Sequence, residues 1–321
     1  MKKVSNHSGA KKLLKNNIFI LIAAIIVICT LLSLNAEYFA TKKNLTAIMS
    51  SMAVNGIQAI GMTMCLITIG IDLSVGSILS LSGVVLAFCL RAEFPVPAAL
   101  LITVLCGVLC GCVNGLFISK GNLPPFIATL GMQSIAGGIA LMITDGKPIS
   151  GATAKIMFLG SGRVFRIIPV SFLIMIFCFA AAFYLMSYTR AGRYMYTIGG
   201  NREAAKLSGI NVSKYIILPY ALSGLLCAIA SMVVTGRLNS AEPLAGSGTE
   251  LDAVAAAIIG GTSMSGGEGK IVGTFLGALM MAIIKNGMIQ LGVGTYPQQV
   301  IIGCIIILVV LMDMLNRNQK N

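Results

Sequence analysis

The sequence has little charge, a single histidine and no tryptophan. Only 10% of its 321 residues are charged, whereas an ordinary soluble domain carries about 25%. Apolar residues make up 57% of the chain, and no polar stretch is long enough to form a separate soluble domain. The chain is therefore predicted to be one integral membrane unit, all-α and polytopic.

The lone histidine, His7, also limits the chemistry that the chain can perform. Neither an HExxH zinc motif nor a GxSxG nucleophile motif occurs, and most hydrolytic mechanisms would lack a general base. A GxxxxGK[ST] phosphate loop is absent as well, so the chain does not bind ATP by that route. We therefore expect no enzymatic activity, no cofactor and no metal, and the energy for any work must come from a partner or a gradient.

Nine cysteines lie almost entirely within apolar runs. Cys106, Cys110 and Cys112 are spaced like metal ligands, but the stretch around them, ALLITVLCGVLCGCVNG, is typical of a Gly-rich spanning helix. Because buried cysteine behaves there as a small apolar residue, we interpret this group as helix packing.

The formal net charge of +13 raises the question of nucleic-acid binding. The basic residues form no amphipathic face, however, and cluster instead in the N-terminal tail and between Arg190 and Lys214. The positive-inside rule produces such a distribution in membrane proteins. The distribution of basic residues therefore indicates a membrane protein in contact with lipid and not a nucleic-acid-binding protein. It also predicts that both basic clusters lie in the cytoplasm.

Hydropathy and the Gly/Pro breaks predict about ten transmembrane helices, with eight or nine as alternatives. The first apolar run exceeds a signal-peptide core and is interpreted as an uncleaved span. Ten spans place both termini on the same side of the membrane, and the distribution of basic residues favours the cytoplasm as that side. The predicted division is a basic cytoplasmic tail (1–17), a first membrane half (18–187), a cytoplasmic loop (188–213) and a second membrane half (214–321). The spans are expected near residues 18–34, 46–71, 76–91, 96–119, 125–144, 168–187, 214–236, 249–263, 269–292 and 297–315.

An internal repeat is indicated by an Asn-Gly pair that is followed twice, at identical offsets, by a proline and a glycine. Only nine prolines occur in the chain, so the match is informative. The match predicts two duplicated halves, 45–145 and 212–315. The matching elements are five spans apart, and because five is odd the two halves cross the membrane in opposite directions. Inverted repeats are common in transporters, whose pathway lies at the repeat interface. The matching residues are Asn114, Gly115, Pro125 and Gly131 in the first half and Asn286, Gly287, Pro297 and Gly303 in the second.

A short charged segment, TIGGNREAAKLSGINVSK (197–214), lies between two apolar runs, each long enough to cross a membrane. Asn201 can cap a small helix, Glu203 lies in its first turn and Gly209 stops it. A helix this short is marginal alone, so we expect it to be held in a groove on another protein. An ordinary connecting loop on the bilayer is the alternative.

The same segment resembles the Glu-Ala-Ala loop of ATP-binding-cassette importer permeases in Glu203-Ala204-Ala205, Gly209 and Ile217-Leu218-Pro219. The spacing from Gly209 to Ile217 is shorter than is usual in that family. Several stretches, in order, are similar to the ribose/xylose/galactose branch of the branched-chain amino acid/monosaccharide permeases, from about residue 45 to 315. These stretches are TIGIDLSVGSILSLSG, NLPPFIATLGM, AGRYMYTIGGNREAAKLSGI and AAAIIGGTSMSGGEGKIVGTFLGAL.

The resemblance implies the transmembrane pore subunit of an ATP-driven monosaccharide importer in the bacterial inner membrane, with ATP hydrolysis on a separate subunit. The implied partners are an ATP-binding-cassette ATPase inside, a soluble extracytoplasmic sugar-binding protein outside and a second copy in a homodimer. An importer of the same family for a non-sugar solute such as branched-chain amino acids stays open, as does an ion-coupled secondary transporter. The residues implied to couple to the ATPase are Gly200, Asn201, Arg202, Glu203, Ala204, Ala205, Ser208 and Gly209.

A sugar pathway needs hydrogen-bonding side chains that are not strongly charged, since tight binding would slow release. Each in-span candidate could equally be a helix-to-helix hydrogen bond. Asp72 is interpreted as a helix cap at an interface, because burying an unpaired carboxylate would be costly, and Lys285 is the main ionisable residue expected within a span. The pathway candidates are Asn55, Gln58, Asn114, Gln133, Asn286 and Gln290.

Overall fold

The computed structural model describes residues 17–151 and 154–318, so the basic tail predicted at 1–17 lies almost entirely outside the described part. Most of the described residues are helical, and four strands have only two residues each: β1 (Ile149–Ser150), β2 (Arg163–Val164), β3 (Ile168–Pro169) and β4 (Ser240–Ala241). The helices are α1 (Asn17–Asn35), α2 (Lys42–Ile67), α3 (Val75–Arg91), α4 (Val96–Ser119), α5 (Pro125–Thr144), α6 (Met157–Ser161), α7 (Val170–Tyr188), α8 (Arg190–Gly200), α9 (Arg202–Leu207), α10 (Val212–Leu238), α11 (Thr249–Ile259), α12 (Ile271–Gln290) and α13 (Thr295–Asn318).

Seven helices of the described chain are long and apolar enough to cross a membrane: α1, α2, α4, α5, α7, α10 and α12. Helix α3 has 17 residues and α13 has a shorter apolar stretch. Helix α11 has only 11 residues, or about 16 Å, against a hydrocarbon core of about 30 Å. The predicted all-α chain with many apolar helices is confirmed, and the two spans expected to be shortest correspond to α3 and α11.

Helices α4 and α10 approach closely along a seam of glycines. Gly107, Gly111 and Gly115 recur every fourth residue on α4, so they share one face of that helix. A Cβ atom on Gly107 would lie 2.9 Å from Ala228 Cβ, and one on Gly115 would lie 2.7 Å from Ile217 Cα. Residue numbers rise along α4 as they fall along α10, so the two helices are antiparallel. Small residues permit this approach, which matters in lipid because packing drives helix association there.

Helix α2 lies at the centre of the protein, and most of its residues are buried. It runs antiparallel to α12, since the hydroxyls of Thr63 and Thr274 are 2.6 Å apart near one end and Asn44 bonds Asn286 at the other.

Helix α2 is also antiparallel to α10. A Cβ atom on Gly61 would lie 2.8 Å from Ser223 Cα, and Arg237 at the far end of α10 donates to the carbonyl of Ser50 at 3.4 Å. Helix α2 therefore links the helices of both halves of the chain.

The helices of the two predicted halves follow the same order, α2 to α5 and then α10 to α13. Their packing is also reciprocal: α2 packs on α11 and α12, while α10 packs on α3 and α4. Each half therefore uses its first helix to contact the second and third helices of the other.

The 188–213 segment and the 145–167 segment lie at opposite ends of α10. Helix α10 begins at Val212, directly after the first segment, and Ser119 at the end of α4 donates to the carbonyl of Ser213 there. At its other end, the hydroxyl of Ser161 lies 3.5 Å from the carbonyl of Arg237, and β1 pairs with β4. Because α10 has 27 residues, about 40 Å of helix separates the two segments.

Candidate functional site

The 188–213 segment contains two helices. The short helix predicted from the sequence is confirmed as α9, and Asn201 caps it by accepting from the Ala204 N–H at 2.9 Å. Helix α8 was not predicted, because RAGRYMYTIGG contains three glycines, which are poor helix formers. Tertiary contacts compensate, since the Tyr196 hydroxyl donates to the Gly269 carbonyl at 2.8 Å.

Helix α9 rests on the membrane domain through one small side chain. Ala205 is fully buried, in a cluster with Ile118, Ile198, Ile216 and Tyr220. Ala205 therefore holds α9 in place and is not available to a partner. The other residues expected to couple to an ATPase are all exposed: Gly200, Asn201, Arg202, Glu203, Ala204, Ser208 and Gly209.

The exposed face of α9 combines one apolar side chain with charged ones. Leu207 is 88% exposed, although it is the largest apolar side chain of α9, and it lies beside Glu203 and Lys206, which are exposed as well. Gly209 ends the helix as predicted, with a φ of +77° that favours glycine. An apolar residue surrounded by charges and held on a capped helix is suited to insertion into a complementary groove.

Helix α8 connects α9 to the centre of the protein. A Cβ atom on Gly199 would lie 2.6 Å from the backbone nitrogen of Gly267, and the Gly267 N–H donates to the carbonyl of Ile67, the last residue of α2, at 2.9 Å. The glycine-rich turn between α11 and α12 thus contacts both the 188–213 segment and the central helix.

A cavity of about 650 Å³ opens at the opposite end of α10, between α2, α10, α11, α12 and α13. Asn55 lies in its wall, together with several hydroxyl and amide side chains. Its charged lining residues are Arg237, Glu242, Glu250, Asp252 and Lys285.

An ion pair lies in the wall of this cavity. Lys285 on α12 contacts Asp252 on α11, and Asn55 on α2 donates to the same carboxylate oxygen at 3.4 Å. Lys285 was singled out from the sequence, but Asp252 and Glu250 were missed because acidic residues in the first turn of a helix are common. The sequence does contain a signal for Asp252, since ionisable residues among apolar helices mark pathways and need a partner.

Three of the predicted pathway residues lie at or near this cavity. Asn55 lines it. Behind it, Gln58 donates to the hydroxyl of Thr249 at 3.1 Å, and Gln133 donates to a carboxylate oxygen of Glu250 at 3.4 Å. The cavity thus brings polar groups on α2 and α5, from the first half of the chain, close to polar groups on α10 to α13, from the second half.

The other three pathway candidates make hydrogen bonds away from the cavity. Asn114 donates to the hydroxyl of Ser74 at 2.9 Å. Asn286 and Gln290 both donate to the side-chain oxygen of Asn44 at 2.8 Å. These are helix-to-helix hydrogen bonds, the alternative that the sequence left open for each candidate.

Asp72 is completely buried inside the protein instead of at an interface. One carboxylate oxygen accepts from the backbone N–H of Ser74 at 3.1 Å. Ser74 is itself the N-cap residue of α3 and makes no side-chain cap, so the prediction that Asp72 caps this helix was wrong. The other carboxylate oxygen of Asp72 accepts from the hydroxyl of Ser223 on α10 at 2.8 Å. These bonds compensate the carboxylate for its burial and tie α3 to α10.

Comparison with protein families identifies the chain. The profile of the family described as "Branched-chain amino acid transport system / permease component" matches residues 44–310. The chain belongs to this permease family. The matched range includes the 188–213 segment, the cavity and most of both predicted membrane halves.

Curated relatives of the permease are similar over nearly their whole length. The ribose import permease protein RbsC of Escherichia coli K12 is 42% identical over 297 residues, which cover 91% of this chain and 92% of the relative. The D-allose transport system permease protein AlsC of the same organism is 39% identical over 94% of this chain and 92% of its own. The xylose transport system permease protein XylH of Escherichia coli K12 is 32% identical over 98% of this chain and 95% of its own. No solved structure matches the permease.

Proposed function

We propose that the chain is the transmembrane pore subunit of an ATP-driven importer for a monosaccharide. The observation that carries this proposal is the exposed, capped helix α9 at one end of the protein, opposite a polar cavity at the other. An importer needs both features, since energy must enter on one side and solute on the other. The names of the relatives, which specify ribose, allose and xylose, support a sugar as the solute.

The proposed assembly contains partners on both sides of the bacterial inner membrane. An ATP-binding-cassette ATPase would receive α9 in the cytoplasm and would carry out the ATP hydrolysis. A soluble sugar-binding protein would deliver solute outside, and a second copy of the permease would complete a homodimer. Both termini would then be cytoplasmic, on the same side as the 188–213 segment.

We further propose ten crossings arranged as two inverted repeats, α2 to α5 and α10 to α13. In this arrangement α3 and α11 cross as short helices that other helices cover. The antiparallel packing of α2 against α10 supports the inversion, because equivalent first helices of inverted repeats run in opposite directions. The reciprocal packing of each first helix supports the duplication.

The solute pathway is proposed to begin at the cavity near Asn55, Gln58 and Gln133. These amides can exchange hydrogen bonds with sugar hydroxyls without carrying a charge. They come from α2 and α5 of the first half, whereas the opposite wall comes from α10 to α13 of the second half. The proposed entrance thus lies between the repeats, where transporter pathways are found.

Ion-coupled secondary transport is the alternative that a specific observation favours. The Lys285–Asp252 pair is an ionisable couple among apolar helices, and such pairs serve as ion or proton relays in some transporters. Secondary transport would need no ATPase and would leave the exposed face of α9 without a role.

Assembly with an ATPase tests the proposal directly. A tagged permease purified from its own cells in mild detergent is expected to carry an ATP-binding-cassette ATPase with it. Shortening the chain at α9, by deleting 202–207, is expected to abolish this co-purification while the permease stays in the membrane fraction. Purification of the intact permease without any ATPase would favour the secondary transporter.

The proposed orientation is tested by cysteine labelling. Ser161 and Thr197 are both exposed and lie at opposite ends of the protein. Single cysteines at these positions, in a background lacking the native nine, are expected to react with a membrane-impermeant maleimide from opposite faces. Thr197→Cys should react from the cytoplasm only. Labelling of both cysteines from the same side would contradict the ten-span arrangement.

A further inference from the structure

The cavity lined by Asn55, called the outer cavity because the proposed orientation places it on the outer side, has five charged side chains in its wall. Three carboxylates, from Glu242, Glu250 and Asp252, face two cations, from Arg237 and Lys285. The residue Asp252 is only 4% exposed, and its side chain pairs with Lys285, which is itself partly exposed. The pair is therefore shielded on the protein side and reachable from the cavity through its lysine.

Two hydrogen-bond acceptors beside this pair have no donor within the described chain. One carboxylate oxygen of Glu250 accepts from Gln133 at 3.4 Å, but its other oxygen is buried and unpartnered. The side-chain oxygen of Gln58 is also buried without a partner, although its amide nitrogen bonds Thr249 on the cavity wall. Both oxygens are enclosed by the protein, so a solute in the cavity would meet Glu250 through its other oxygen, which accepts from Gln133 and can accept a second hydrogen bond.

We propose that Asp252, Lys285 and Glu250 form a solute-recognition site for an uncharged polyhydroxylated molecule, a monosaccharide, in the outer cavity. The proposal rests on the proposed import function and names the residues that would recognise the solute. Glu250 accepts a hydrogen bond from a sugar hydroxyl, Lys285 donates to a ring oxygen or a neighbouring hydroxyl oxygen, and Asp252 holds Lys285 in position. Asn55, which already bonds Asp252, positions the carboxylate.

The charge balance of the cavity sets the class of solute. With all five groups ionised, the wall has one negative charge in excess, which disfavours anions such as sugar acids. Hydrogen bonds to charged groups are stronger than those between neutral groups, so few contacts suffice to hold a neutral sugar. Lys285 and Asp252 remain paired with each other when the sugar dissociates, so neither charge is left without a partner. Sugar binding is therefore weak enough for the sugar to pass on.

Ligand-observed NMR on the purified permease tests the site. Saturation transfer to D-ribose, D-allose and D-xylose is measured without ATPase or binding protein, and wild type is expected to bind at least one of them with a millimolar Kd. Two variants remove the recognition chemistry: the double variant Asp252→Asn/Lys285→Gln, which leaves no buried charge unpaired, and Glu250→Gln, which keeps the side-chain shape. Each is expected to weaken binding by about tenfold or more, equivalent to about 1.4 kcal/mol.

Gln290→Ala is the matched control. Gln290 lies on the same helix as Lys285, is partly buried and polar, and bonds Asn44 outside the cavity. Asn44 keeps its bond to Asn286 when Gln290 is truncated, so this variant should bind sugar as wild type does. Co-purification of the ATPase with each variant verifies that it has folded.

The outcomes separate this site from the function on which it rests. If the complete wild-type importer accumulates none of the three sugars, the proposed sugar import fails. If it accumulates one, the recognition site is overturned by wild-type sugar binding in both variants, by no detectable binding to the wild-type permease, or by an equal signal from the corresponding sugar acid. Weakened sugar binding in both variants, together with wild-type sugar binding by Gln290→Ala, supports the recognition site.

Discussion

Glu203→Lys in α9 is expected to abolish uptake while the permease remains in the membrane. Glu203 is exposed in the first turn of α9, so reversing its charge leaves the membrane domain intact and alters only the face proposed to enter the ATPase. If Glu203 pairs with a cation in the ATPase groove, losing one partner of that buried charge pair costs about 2–5 kcal/mol, or at least about 30-fold in affinity. Uptake of radiolabelled sugar and co-purification of the ATPase should therefore be lost together.

Gly209→Pro tests the same helix by another route. Gly209 has a φ of +77°, which proline cannot adopt, and its N–H donates to the Lys206 carbonyl at 3.0 Å. The variant is expected to unwind the end of α9 and to abolish uptake as Glu203→Lys does.

Arg166→Glu supplies the control for both variants of α9. It reverses an exposed charge at the opposite end of the protein and should leave the ATPase bound. Normal uptake by both α9 variants would remove the basis for assigning α9 to energy coupling.

Gly107→Leu is expected to have the largest effect on the stability of the permease. The backbone of α10 at Gly224 occupies the space that a side chain at Gly107 would need, and a Cβ atom there would lie only 2.9 Å from Ala228 Cβ. Overpacking a core by a few methylenes usually costs about 1–3 kcal/mol, and here two backbones must separate along the seam. Little folded protein should survive extraction into mild detergent.

Gly138→Leu on α5 is the matched glycine variant. A Cβ atom on Gly138 would meet no heavy atom within 4 Å, so the larger side chain can be accommodated within the protomer. Thermal unfolding in detergent should show a melting temperature close to that of wild type. Equal melting temperatures for the Gly107 and Gly138 variants would contradict the close seam between α4 and α10.

The sequence predicted those parts of the permease that local chemistry determines. Apolar runs long enough to span a bilayer predicted the long helices, and Asn201 with Gly209 predicted both ends of α9. Each of these signals lies within a few residues of the structure that it describes. The twofold occurrence of Asn-Gly followed by proline pairs α4 with α12, and the proline lies in the first turn of the next helix in both places; the repeat itself stays a prediction.

The parts that the sequence did not predict depend on contacts between distant segments. Asp252 meets Lys285 across the turn between α11 and α12 and meets Asn55 from a helix 197 residues earlier. Whether Asn55 or Asn286 lines a cavity depends on the rotation of each helix in the bundle, which an apolar run without strong periodicity does not specify. Ala205 could not be assigned to the inner face of α9 for the same reason, since six residues give too short a pattern.

Transport in a defined system tests the central claim, that ATP hydrolysis by a partner drives this permease. The permease, its co-purified ATPase and its sugar-binding protein are reconstituted in liposomes with no ion gradient, and accumulation of D-ribose, D-allose and D-xylose is followed. We predict that one of these sugars accumulates only when ATP and Mg²⁺ are supplied on the side of α9, and that Glu203→Lys eliminates the accumulation. Accumulation driven by a proton or sodium gradient in liposomes that lack the ATPase would contradict the account.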